Sequence, residues 1–261
     1  MSSAPATGPI RLAILEADTP VPDIKSKYGT YGQVFKYLFK RACDPQPLDS
    51  QLAIEAYNVV GDESNLPVYP KLGDIDAILI TGAKHNAFED HKWIIQLVNY
   101  TRECFDAGVP VVGICFGHQI VARALGAVVG RNTGGWELSV TPCKLTDEGK
   151  RVLGLDKEDL LIQQMHQDIV HTNPEGVTLL ARTDICPNQG MYSPGRLLTV
   201  QGHPEFTDDM MRSILKVRLD GGIISQALHD DGEARAANEQ DGVTVARAFI
   251  RFLREKQDPL K

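Results

Sequence analysis

The segment Gly113-Ile114-Cys115-Phe116-Gly117-His118-Gln119 follows an apolar run, Val109 to Val112, and leads straight into an amphipathic helical pattern. A cysteine flanked by glycines where a strand becomes a helix is a nucleophile elbow. The small residues permit a tight, strained turn that presents the side chain at the mouth of a sheet. The helix N-terminus behind it favours thiolate over thiol, and the thiolate is the attacking form. After a second apolar run, Leu197 to Val200, comes Gly202-His203-Pro204-Glu205. This supplies a base at a strand end and, two residues on, a carboxylate to hold the second imidazole nitrogen. Cys115, His203 and Glu205 together read as a triad for acyl transfer. The backbone N–H of Phe116 is a natural donor to the oxyanion, and the loop Thr81-Gly82-Ala83, after the run Ile75 to Ile80, is the expected source of another.

The rest of the chain supplies a frame for these residues. Ile10 to Leu15, Leu52 to Val60, Ile75 to Ile80 and Val109 to Val112 read as strands, alternating with helical patterns at Tyr28 to Phe39 and Trp93 to Ala107. That alternation predicts an α/β fold, a mixed but mostly parallel central sheet flanked by helices. From Trp136 to Val200 the pattern changes to short strand-like segments that predict an antiparallel extension of one side of the sheet. Met210 to Leu219 and Val243 to Lys256 read as helices, and the polar, alanine-rich Asp230 to Gln240 as a surface loop. No repeat or linker divides the 261 residues, so one domain over 1–261 is the economical reading.

Composition narrows the function classes. A net charge of −7 without a lysine/arginine run argues against nucleic acid or an anionic membrane as a partner, and no apolar stretch is long enough to span a bilayer. Met1 to Pro9 lacks the basic and apolar regions of a secretory signal, and the five cysteines form no CxxC pair. Both features fit a reducing compartment, most simply the cytoplasm. Cys104 on a helical pattern reads as a small hydrophobe, Cys43 as peripheral, and Cys143 and Cys186 as lacking a local base. His118 follows the nucleophile on the same helix, where its ring need not reach the thiol. His166, Asp168 and His171 lack an obvious fourth ligand, so no metal is expected. No GxGxxG or P-loop string implies a nucleotide cofactor, and the expected cofactor set is empty.

With the elbow, the His-Pro-Glu string and the Thr-Gly loop in place, the chain resembles the class I glutamine amidotransferases. It is similar to the glutaminase domains of GMP synthetases and, among stand-alone members, to the γ-glutamyl peptidases that act on glutathione conjugates. The resemblance runs from about Ile10 to Phe206 and leaves a helical C-terminal extension, 207–261, uncovered. It implies a flavodoxin-like three-layer sandwich. It also implies that Cys115 is the nucleophile, His203 the base, Glu205 the orienting acid, and the amides of Gly82 and Phe116 the oxyanion hole. Gln119 matches a position that helps bind the γ-glutamyl moiety, and Trp136, Gln167 and Asp168 wall the same pocket. The expected partner is a small γ-glutamyl substrate, with a separate synthetase as the partner of an ammonia-donating member. Two departures stand out. Ala83 occupies a position where relatives often carry a second glycine, and no segment reads as a synthetase domain. A glutaminase subunit serving a separate synthetase, or a non-catalytic binding descendant, stay open beside a hydrolase of γ-glutamyl amides.

Overall fold

The computed structural model describes residues 8–62 and 64–255. Its first half alternates strands and helices: β1 (Ile10–Glu16), α1 (Pro22–Tyr28), α2 (Tyr31–Cys43), β2 (Leu52–Asn58), β3 (Ala77–Ile80), α3 (Lys92–Asp106), β4 (Val111–Ile114) and α4 (Phe116–Ala124). The second half holds β5 (Val129–Arg131), β6 (Glu137–Leu145), α5 (Asp147–Leu153), β7 (Asp159–His166), β8 (Asp168–Val170), β9 (Thr178–Leu179) and β10 (Ala181–Arg182). It closes with β11 (Gly190–Ser193), β12 (Leu197–Val200), α6 (Asp208–Asp220), α7 (Gln226–Arg235) and α8 (Gly242–Leu253).

The central sheet has the order β2-β1-β3-β4-β12-β11-β9. Its first five strands run parallel, and β11 joins β12 antiparallel. Every residue of β3, β4 and β12 is buried, as strands covered on both faces require. Alternation along β1 shows the two faces. Leu12 and Ile14 pack with Phe35 and Phe39 of α2 and Phe249 and Phe252 of α8. Ala13 and Leu15 pack with Trp93 and Leu97 of α3 and Phe116 and Ile120 of α4. The result is a three-layer sandwich in the flavodoxin order. Among the described residues, no helix is long and apolar enough to cross a membrane.

The region after the elbow departs from the expected extension of the sheet. Of its strands, β12 joins the sheet parallel to β4, with β11 and β9 beyond it; β10, β6 and β7 form a second, three-stranded sheet, and β5 pairs with β8. The edge beside β12 is already occupied by β11, so the long β6–β7 pair lies elsewhere and touches the main sheet's strand ends through a bridge between Gln163 and His203. Within this stretch α5 is a helix, not a strand. Thr146 caps it by accepting the N–H of Gly149 at 2.9 Å, and Gly154, at φ 71°, ends it in the left-handed conformation.

The expected loop at Asp230 to Gln240 is helical to Arg235. Ser225 caps α7, Gly232 packs tightly against Leu215, and the carbonyl of Ala236 accepts a hydrogen bond from Gln163 Nε2 at 2.8 Å. The last helix ends at Leu253, and Lys256, assigned to it from the sequence, lies outside the described residues. Cys43 is buried at the end of α2, not peripheral.

Phe249 is fully buried in the layer that α8 shares with α2. Truncation to alanine removes a core aromatic side chain and leaves a cavity, so Phe249→Ala is expected to lower unfolding stability by about 3–5 kcal/mol. Urea denaturation measures it; a loss under about 1 kcal/mol would mean that α8 is not part of this core.

Candidate active site

Cys115 is the single residue between β4 and α4, with φ 50° and ψ −103°. A side chain at this backbone conformation is strained, and the strain persists only because the surroundings over-determine it. The Cys115 N–H donates to Val200 O at 2.9 Å, and its carbonyl accepts from Gln119 N at 3.0 Å. The flanking glycines serve close approach. A Cβ on Gly117 would lie 2.2 Å from the carbonyl oxygen of Ile80, and one on Gly113 would lie 2.7 Å from the carbonyl oxygen of Gly117. The Phe116 ring, stacked on Trp93 at 5.8 Å, anchors the first turn of α4 in the core. The Phe116 N–H is one of the amides that a helix N-terminus leaves without an intrahelical acceptor.

His203 follows β12 and is held on three sides. Its N–H donates to Gln163 O at 2.7 Å, its ring lies flat on Phe206 with centroids 4.1 Å apart, and its Nδ1 is 2.7 Å from Glu205 Oε1. With Nδ1 committed to a carboxylate, Nε2 is the nitrogen left for other work. Burial disfavours the charged imidazole. The Glu205 carboxylate and then the nearby Cys115 outweigh burial and push the His203 pKa up to about 10.

Gly82 closes the third side of this arrangement. A Cβ there would meet His203 Cε1 at 2.7 Å, with Cys115 Cβ at 3.7 Å, so only glycine lets the loop after β3 come this close. Ala83 needs no glycine-like backbone: among the described residues only Cys115 and Ser139 combine a side chain with positive φ.

Cys115 opens into a cavity of about 240 Å³, lined also by Phe116, Gln119, Trp136, Gln167 and Asp168. The structure thus brings the four residues implied for substrate binding to the same cavity as the thiol. Gln119, buried, donates from Nε2 to Asp168 O at 2.8 Å and to Gln201 Oε1 at 3.0 Å. Arg131 ties the outer wall together, donating to Gln167 Oε1 at 2.6 Å and pairing through Nε with Asp168 Oδ1 at 2.8 Å. Burial raises the Asp168 pKa, and the charge of Arg131 opposes that rise.

A second buried His–Glu pair borders the cavity, with His166 on its wall. His166 Nε2 is 3.1 Å from Glu137 Oε2, and Gln189 Nε2 donates to the same oxygen at 2.7 Å. Burial works against the charge of Glu137, but His166 and Gln189 hold its pKa below the usual range. His166 meets the backbone of Asp168, its Nδ1 3.2 Å from Asp168 O, while the side chains that could share a ligand with it are Glu137 and Cys186. His118 points away from the thiol, its Nδ1 2.8 Å from Thr199 Oγ1, and burial followed by the charge of His166 pushes its pKa down to about 3. Arg131 and Glu137 were missed in the sequence. Glu137 meets His166 only through the β6–β7 register, and Arg131 reaches Asp168 only through the β5–β8 pairing.

Comparison with known proteins places this geometry in a wider set. The family model for class-I glutamine amidotransferases matches residues 47–218. A glutamine amidotransferase-like protein of Schizosaccharomyces pombe is 35% identical over 246 residues, covering 94% of this chain and 98% of its own. A γ-glutamyl peptidase of Arabidopsis thaliana, numbered 3 in its series, is 30% identical over 255 residues, covering 94% of this chain and 96% of its own. The crystal structure of a glutamine amidotransferase from Thermotoga maritima shares the fold, with a TM-score of 0.68 over 94% of this chain and 98% of its own, at 16% identity.

If the backbone at Cys115 is strained by its side chain, Cys115→Gly should be at least as stable as Cys115→Ala, because glycine is at home at φ 50°. The expected gain is about 1 kcal/mol, read from paired denaturant melts. A Cys115→Gly protein clearly less stable than Cys115→Ala would mean that the elbow stores no strain.

Proposed function

The chain belongs to the class-I glutamine amidotransferase family, and from that premise we propose that it hydrolyses γ-glutamyl amide bonds through a γ-glutamyl thioester on Cys115. The observation that carries the reading is the thiol at the floor of a polar cavity, beside an imidazole whose far nitrogen is fixed by a carboxylate at 2.7 Å. Cys115 gives its proton to His203 Nε2, and the thiolate attacks the γ-carbonyl carbon. The amides of Gly82 and Phe116 receive the oxyanion, each worth a few kcal/mol in comparable sites. As the tetrahedral adduct collapses, the C–N bond breaks and the leaving nitrogen takes the proton from His203. Water then gives a proton back to His203 and attacks the thioester. The C–S bond breaks, glutamate leaves, and the proton returns to sulfur.

The cavity's opposite charges, Asp168 and Arg131, suit the ammonium and carboxylate of a glutamyl group, with Gln119, Trp136 and Gln167 shaping the wall. We take the whole chain to act as one domain, since α8 packs into the core shared with β1 and α2. Its five cysteines, all unpaired and buried, suit the reducing cytoplasm. No step requires a metal or organic cofactor.

Purified protein incubated with glutamine, glutathione or a glutathione S-conjugate is expected to release glutamate. Cys115→Ala should lower that release by at least about 10³-fold. Release from glutamine alone, stimulated by a synthetase, would replace the peptidase reading with an ammonia-donating subunit. Release from none would leave a binding protein.

The pH profile tests His203 separately. Protonated imidazole is needed to expel the amine, so kcat/KM should fall as pH rises through about 10. Glu205 is the largest influence raising that pKa, so Glu205→Gln should move the alkaline limb toward neutral pH. A limb unmoved by that change would remove Glu205 from its assigned role.

A further inference from the structure

A second cavity, of about 410 Å³, adjoins the first on the far side of the Cys115–His203 pair. His203 and Gly82 line it but Cys115 does not, whereas the first cavity is lined by Cys115 but not by His203. Ala83, Lys84, Met165 and Arg218 are common to both and mark the seam between them. The proposed reaction divides a substrate along the same line. The acyl half must lie against sulfur, and the leaving nitrogen must face His203 Nε2, because Nδ1 is occupied by Glu205.

The walls of the two cavities differ in kind. The first is largely polar, with the amides of Gln119 and Gln167, the Asp168 carboxylate, the Arg131 guanidinium and the His166 imidazole on its wall. The second is built from Pro20 and Val21 before α1, Phe206, and Ile214 and Val217 on α6. Val217 is 43% exposed, a large aliphatic side chain left facing solvent. Arg218 stands at the seam with no ion-pair partner among the described residues, whereas Lys84 pairs with Asp18 at 3.2 Å. An apolar wall ending in an unneutralised guanidinium suits an amine that carries both a bulky apolar group and a carboxylate.

We infer that this second cavity is the leaving-group subsite, and that it selects γ-glutamyl amides whose amine is an amino acid or peptide with a large apolar side chain, its carboxylate held by Arg218. The inference rests on the γ-glutamyl hydrolase reading and deepens it. α6 and the segment before α1 then set specificity without touching the scissile carbonyl. Ammonia fills none of this space, so glutamine gains nothing from it.

The test compares kcat/KM for glutamine, γ-glutamylglycine, γ-glutamylphenylalanine and γ-glutamyl phenethylamide, the last lacking the carboxylate. γ-Glutamylphenylalanine should exceed glutamine and γ-glutamylglycine by about tenfold or more, the scale of burying one apolar group in a specificity pocket. Val217→Glu should cut the ratio of γ-glutamylphenylalanine to glutamine turnover by about tenfold. Arg218→Gln should slow γ-glutamylphenylalanine several-fold more than the phenethylamide. Turnover without an apolar preference in the unmodified protein, or a ratio unmoved by Val217→Glu, would overturn the subsite while leaving γ-glutamyl hydrolysis standing. Absence of glutamate from all four would overturn the hydrolase reading and the subsite with it.

Discussion

The first turn of α4 passes so close to the end of β3 that a methyl group at Gly117 would lie 2.2 Å from the carbonyl oxygen of Ile80. This contact fixes where the helix starts, and with it the distance from β4 in which the chain must reverse. One residue remains for the turn, and Cys115 takes it at φ 50°. The neighbouring strands complete the restraint, since β12 binds the Cys115 N–H through Val200 and then delivers His203 a few residues later. Position along the β3-β4-β12 order is therefore also position in the site: the Gly82 loop, the thiol and the imidazole each follow one of three adjacent parallel strands.

Burial sets the electrostatics. His203 and Glu205 are almost wholly removed from solvent, and a charge there is tolerable only when paired at short range and further hydrogen-bonded. The second pair, Glu137 with His166, obeys the same rule with Gln189 as the additional donor. Fully buried His118 has only a hydroxyl partner on Nδ1, and its pKa is driven down, not up. One residue type is thus shifted in opposite directions within the same core: the Glu205 carboxylate raises the pKa of His203, while burial and then the charge of His166 lower that of His118.

The parts of the site legible in the sequence were those encoded locally. A strand, a cysteine between glycines and a helix are contiguous, as are His203 and Glu205, so their spacing carries the geometry. The parallel sheet was legible for the same reason: β3 and β4 are unbroken apolar runs. The fate of the middle region was not, because alternating strands do not say which edge they join, and the Glu137–His166 pair exists only in one register of β6 on β7. α7 escaped because it buries little beyond Gly232 and presents no apolar stripe. α5 did carry its own boundary marks, Thr146 and Gly154, within a stretch dominated by strand-like patterning.

Among the described residues, an isolated bridge, with a bond from His203 N to Gln163 O, joins β7 to the backbone that carries the imidazole. Gln163 uses its side chain at the same time to hold the carbonyl of Ala236, just beyond α7. One residue therefore serves as a rivet between three separately built layers. The order around the His203 ring is then a collective property: loosening β7 from its neighbours releases the His203 backbone and the α7 boundary together, although neither Gln163 nor α7 lines the Cys115 cavity.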